Sequence, residues 1–172
     1  STLRSDIAER VRIANDFHPD LIVSIHHNAD ARSAHDVNET QVYYQLGDEG
    51  PALDAAADIQ RFLTRNLGIG ASRVLSGNFA VLRGSEAPAL LTESSYITYP
   101  PAEARLAHEE ARKIEAQSLA LGIAAFFSRK APVIERFVAT SLHGLADSSF
   151  STGVLTLFGA VRGPVDQVEL RL

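Results

Sequence analysis

The chain has 172 residues, 45% of them apolar, and a formal net charge of −5. That apolar fraction supports a packed core, and the acidic balance without any basic run argues against a nucleic-acid platform or a membrane-surface helix. Cysteine is absent, which excludes a disulfide framework and a thiolate metal site, so any metal would be held by His, Asp or Glu. No apolar stretch is long enough to span a bilayer, and the start is no signal peptide. Methionine is absent even at position 1, which reads as a processed product, an engineered piece or a fragment of a longer reading frame.

Ile7, Val11 and Ala14 recur at helical spacing, so Ser5 to Phe17 is predicted as a helix capped by Ser5 or Asp6. After the turn His18-Pro19-Asp20 comes Leu21-Ile22-Val23-Ser24-Ile25, an apolar run that ends in His26-His27-Asn28. Its length and β-branched content predict a strand buried on both faces, with the histidines at its carboxyl end, where α/β sheets gather their ligands. Gln41 to Leu46 alternates and is predicted as a further strand. The loop before it, with Asp30, His35, Asp36 and Glu39, would then lie near those histidines.

Pro51 opens and Gly68 closes an amphipathic helix carrying Ile59, Phe62, Leu63 and Leu67. Phe79 to Arg83 is predicted as a strand, and Pro88 to Thr92 as another, ending in Glu93. Pro100-Pro101 starts a helix to about Phe127. Strands alternating with helices predict an α/β fold, a mostly parallel sheet with helices on both faces. From Val133 the period changes to alternation, with segments from Gly153 to Val161 and from Val165 to Leu172, as at the start of an all-β module. The predicted domains are therefore 1–130 and 133–172, the second a partial sandwich-like module.

If the two apolar runs are parallel neighbours, His26 and Glu93 converge on one rim. An imidazole and a carboxylate are what a hydrolytic zinc site needs, one as ligand and the other as ligand or general base. For each there is a plainer role. His26 could be a core histidine bonded to a carbonyl, and Glu93 a capping or ion-pairing acid. His27 should point to the opposite face. His18, His35, His108 and His143 read as surface groups. Ser24, Ser94 and Ser95 lack the Gly-x-Ser-x-Gly elbow of serine hydrolases, and Gly68-Ile69-Gly70 is a helix stop, not a nucleotide loop.

Four segments together resemble the zinc-dependent N-acetylmuramoyl-L-alanine amidases of the amidase-3 type, enzymes that trim bacterial peptidoglycan. They are Glu9-Arg10-Val11-Arg12-Ile13-Ala14-Asn15, Ser24-Ile25-His26-His27-Asn28-Ala29, Gln41-Val42-Tyr43-Tyr44, and Phe79 to Arg83 leading through Pro88 to Glu93. The resemblance implies that His26 is a Zn2+ ligand and Glu93 the catalytic carboxylate. It also implies that the family's other ligands, a histidine and a glutamate, lie upstream of the matched region, so the amidase domain is expected to be N-terminally incomplete. Arg83 and Asn28 are expected to bind substrate, Arg83 through a carboxylate of the stem peptide. The implied partner is peptidoglycan or a muropeptide, cut between N-acetylmuramic acid and L-alanine, and the implied location is the periplasm or the cell exterior. Alternatives are a peptidoglycan-binding module with an incomplete metal site and another zinc peptidase, such as a carboxypeptidase.

Overall fold

The computed structural model describes residues 3–32, 35–48, 50–129, 133–141 and 155–162. The chain divides into two compact units, Ser1–Ser128 and Arg129–Leu172.

In the first unit, helix α1 (Leu3–Asp16) carries the ion pairs Asp6–Arg10, Glu9–Arg12 and Arg12–Asp16 on its exposed surface, each worth only a few tenths of a kcal/mol. The helix ends where His18, with a left-handed φ of 47°, donates its N–H to the Asn15 carbonyl at 2.9 Å. Asn15 also clamps the chain across from it, donating to the Gly84 carbonyl at 3.0 Å and accepting from the Glu86 N–H at 3.1 Å.

Four strands form one sheet: β1 (Ile22–Asn28), β2 (Thr40–Gln45), β3 (Ser72–Gly77) and β4 (Ala89–Tyr96), in the order β1-β4-β2-β3. The pairings β1–β4 and β2–β3 are parallel, and β2–β4 is antiparallel. This brings the carboxyl ends of β1 and β4 to the same rim as the amino ends of β2 and β3. The expectation that β1 is buried on both faces is corrected, because the strand lies at the sheet edge and Ile25 is 58% exposed. Its β-branched run reflects the pleat packing of Ile22 and Val23 on opposite faces, each half-buried against a different core cluster.

Helix α2 (Pro51–Leu67) begins at the proline and stops at Gly68, whose left-handed φ of 66° lets its N–H reach the Thr64 carbonyl. Only glycine adopts that geometry at little cost. Helices α4 (Pro100–Ala107) and α5 (Glu109–Ser128) replace the single helix expected from Pro100 to Phe127. His108 between them is extended, and the Arg112 guanidinium donates to the freed carbonyls of Leu106 and Ala107 at 2.7 and 3.0 Å. The break is thus held by a side chain a turn downstream, which meets the hydrogen-bonding need of a helix end.

One sheet face packs Val42 and Leu90 against Ala52, Ala55, Ala56, Ile59 and Leu63 of α2 and Leu119 of α5. The opposite face packs Ala89 and Leu91 against Leu82, with Ile22, Tyr43 and Val81 around them. Leu82 belongs to α3 (Ala80–Arg83), one helical turn where a strand was expected. A short apolar run cannot be assigned by period alone, and here Ser85 Oγ–H and the Gly84 N–H bond back to Val81 and Ala80 carbonyls and hold the turn. The strand position in the sheet is taken by β3, whose residues show no strand alternation in the sequence.

In the second unit β5 (Val133–Ser141) and β6 (Leu155–Arg162) form an antiparallel pair, with an irregularity between Ile134 and Arg136. The strand expected over 165–172 lies outside the described residues.

Candidate active site

Parallel register pairs Ser24 with Leu91 and His26 with Glu93, and antiparallel register pairs Gln41 with Glu93. Gln41 is in turn the partner of Arg73 on β3. His26, Glu93, Gln41 and Arg73 therefore form one row across all four strands, on the face that carries Leu91 and Tyr43. The convergence of His26 and Glu93 thus follows from strand pairing alone.

Both groups line a cavity of about 410 Å³. Its floor is Ser24 and Leu91, its apolar wall Ile7, Phe79 and Val81, and its mouth carries Asp6 and Arg10. His26 is exposed, and its Nε2 shares a 2.8 Å hydrogen bond with Ser24 Oγ. Glu93 is half-buried, and its Oε2 is buried with no hydrogen-bond partner among the described residues. Burial pushes the Glu93 carboxyl above the usual carboxylate range, because desolvation penalises the charged form. An unsatisfied buried oxygen costs roughly 1–3 kcal/mol. Such a cost inside a cavity, on a group with a raised pKa, marks a functional candidate.

On the other side of Glu93, Gln41 is only 3% exposed and uses both ends of its amide. Its Nε2 donates to Glu39 at 2.7 Å, while its Oε1 accepts from Asn28 at 2.9 Å and from the Tyr43 hydroxyl at 2.9 Å. Glu39 also receives the Arg73 guanidinium, with Nη2 at 2.7 Å. That contact holds the Glu39 carboxyl below its ordinary range against the opposing effect of burial. Burial pushes the Tyr43 phenol up, with the neighbouring Tyr96 and Glu93 adding to it. The Tyr43 ring meets Phe79 edge-on, centroids 4.9 Å apart.

Asn28 is thus tied to the row through Gln41 and does not line the cavity, whereas Arg83 is not brought to it. Arg83 closes α3 and donates to the Asn78 carbonyl and side chain at 2.9 and 2.8 Å, beside a separate hollow along α1. The basic residue at the cavity is Arg10 instead, paired with Asp6 at 2.9 Å. Of the loop groups expected near the site, Glu39 reaches the row, but His35 shares a 2.8 Å hydrogen bond with the Thr98 carbonyl. Gln41 and Arg10 were missed by the sequence analysis. The alternation Gln41-Val42-Tyr43 carried a signal for the first, since it sets Gln41 on the face opposite apolar Val42.

A profile of the amidase-3 family, described as N-acetylmuramoyl-L-alanine amidase, matches residues 2–125. The chain belongs to this family. A Bacillus subtilis protein, YqiI, is 32% identical over 124 residues, which cover 72% of this chain and 59% of that protein. Among solved structures, the N-acetylmuramoyl-L-alanine amidase AmiC2 of Nostoc punctiforme is similar at 30% identity and a TM-score of 0.64, over 71% of this chain and 66% of its own. An N-acetylmuramoyl-L-alanine amidase from Clostridium difficile 630 shares the fold at a TM-score of 0.68 and 24% identity, over 73% of this chain and 67% of its own. The chain thus spans about 59% of the length of its curated relative.

The amidase family raises the question of zinc, and two observations test the fit. In kind the donors suit it, because His26 offers an imidazole and Glu93 an orphaned carboxylate oxygen on the same cavity. In number they fall short, because a catalytic zinc takes three protein ligands and no group of three or more candidate ligands occurs among the described residues. The described residues thus offer donors of a suitable kind and do not by themselves make up a zinc site.

Proposed function

We propose that the first unit works in a peptidoglycan amidase that hydrolyses the amide between N-acetylmuramic acid and the L-alanine of the stem peptide, in the bacterial cell envelope. The observation that carries this reading is the pairing of His26 with Glu93 on one cavity, with Glu93 Oε2 left without a partner. His26 would serve as one ligand of a zinc ion whose further ligands come from outside the described residues. When bound, that ion supplies Lewis-acid polarisation of the scissile carbonyl.

The remaining chemistry belongs to side chains of this chain. Glu93 Oε2, unpartnered and desolvated, is free to accept a proton from the attacking water and pass it to the departing amine nitrogen. A carboxylate with a raised pKa suits both transfers, and such proton movement typically contributes roughly 10²–10⁴-fold. Ser24 Oγ holds the His26 ring by its Nε2. The wall of Ile7, Phe79 and Val81 limits water around the reacting group, and Arg10 at the mouth can meet a carboxylate of the stem peptide.

A second reading, a module that retains peptidoglycan without cutting it, is favoured by the incomplete ligand set among the described residues. Muropeptide digestion with and without a chelator separates the two. Product that disappears on chelation supports the amidase reading. Retention on cell walls with no product under either condition supports the binding module and excludes the enzyme for this chain.

A further inference from the structure

The reverse face of the sheet, behind Glu93, carries a polar trio that the proposed chemistry does not use. His27 Nδ1 lies 3.2 Å from Ser95 Oγ, and His27 Nε2 lies 3.5 Å from Glu115 Oε1. Ser95 has no exposed surface and Glu115 is only 6% exposed. A serine, a histidine and a carboxylate in line suggest a nucleophilic triad, but no substrate carbonyl can reach a fully buried hydroxyl. The trio must act on the fold. A carboxylate only accepts, so the tautomer that suits both contacts carries its proton on Nε2, toward Glu115, and leaves Nδ1 to accept from the Ser95 hydroxyl.

Its place in the sheet says what it acts on. Between His26 and Asn28 the register of β1 against β4 shifts, since His26 pairs with Glu93 but Asn28 pairs with Tyr96. Ser94 and Ser95 together oppose His27 alone, which is a bulge, and bulges re-aim the side chains beside them. His27 is the residue after His26, and Ser95 is two after Glu93. Glu115 anchors the ring to α5, where an unpaired buried carboxylate would be costly.

We propose that His27, held between Ser95 and Glu115, is a positioning residue that fixes the bulge and thereby aims His26 and Glu93 into the same cavity. This rests on the reading of His26 and Glu93 as the reacting pair. The brace itself is tested independently of activity, by three-bond couplings that report the χ1 rotamers of His26 and Glu93 in the isotope-labelled 172-residue chain. The variants are Ser95→Ala, which removes one oxygen from a buried site, and His27→Phe, which keeps a ring and loses both nitrogens. Single rotamers in the wild type that become averaged in both variants, with the Gln41 rotamer unchanged, are the expected result. Unchanged couplings at His26 and Glu93 in Ser95→Ala overturn the proposal, and that variant decides alone if His27→Phe does not fold.

In the protein with zinc added, Ser95→Ala is expected to lower kcat on a muropeptide about 10- to 100-fold, the scale of small misplacements, with KM unchanged. A rise in KM at constant kcat contradicts positioning. A wild type that cleaves nothing refutes the amidase reading, and the rotamer result then still decides the brace.

Discussion

Gly122 on α5 packs directly against Ile59 of α2, and adding one methyl there gives a sharp stability test. A Cβ on Gly122 would stand 2.5 Å from Ile59 Cα, 2.8 Å from Ile59 Cγ1 and 3.0 Å from Ile59 N. Ordinary carbon contacts begin near 3.5 Å, so the helices would have to part by about 1 Å. Ile59 is fully buried among Ala55, Ala56, Leu63 and Leu119, and two of the three contacts are backbone atoms that no rotamer change relieves. Overpacking of this kind costs roughly 1–3 kcal/mol, at the upper end where backbone is struck. Alanine's better helix propensity offsets about 1 kcal/mol. The net for Gly122→Ala is a loss of about 2 kcal/mol, or a fall in Tm of roughly 8 °C for a unit of this size. Thermal unfolding followed by circular dichroism reads it, with Gly70→Ala as control. Around Gly70 an added Cβ meets nothing within 4 Å, and its effect should stay within about 0.5 kcal/mol. A Gly122→Ala protein as stable as the wild type would refute the close α2–α5 packing.

Gln41→Leu should be markedly destabilising, by about 2–3 kcal/mol in urea unfolding. It strands the Asn28 amide and the Tyr43 hydroxyl, which donate to the Gln41 amide oxygen, and leaves Glu39 with Arg73 alone. A loss below 0.5 kcal/mol in that assay, on the scale of ordinary surface changes, would show that the amide is not their hub. The Glu39 carboxyl is held low by Arg73, so its contribution is present above the unfolded carboxyl's value of about 4.5 and is lost as pH falls through the lower native value. Arg73→Gln should raise the Glu39 pKa in a carbon-13 NMR titration and flatten the acid limb of stability. An unmoved titration curve would count against the pair.

How far the sequence reveals this molecule depends on where each signal resides. The start and stop of α2 are local, set by Pro51 and by the left-handed turn at Gly68, and they were legible. The β1 run and its terminal histidines were legible for the same reason, as was the run ending in Glu93. Strand β3 was not, because Ser72-Arg73-Val74-Leu75-Ser76-Gly77 offers only two adjacent apolar residues and no alternation. The break at His108 was hidden because Arg112 makes it, by folding its side chain back on α4. Site membership followed the same divide. His26 and Glu93 announce themselves at the ends of apolar runs, although β1 and β4 continue past them to Asn28 and Tyr96, but Gln41 joins them only because β2 runs antiparallel beside β4, and Arg10 only because α1 lies at the cavity mouth. The local alternation shows only which face Gln41 takes, and no local pattern places Arg10.

The most direct measurement is muropeptide cleavage by the protein with zinc added, comparing wild type with Glu93→Gln. The amide keeps the size of the side chain and removes its capacity to take a proton at Oε2. The expected result is a loss of at least about 10²-fold in kcat, with cell-wall retention kept and the fold at least as stable at neutral pH, since a desolvated charge has been removed. Cleavage by Glu93→Gln at the wild-type rate would contradict the role given to Glu93 and, with it, the site.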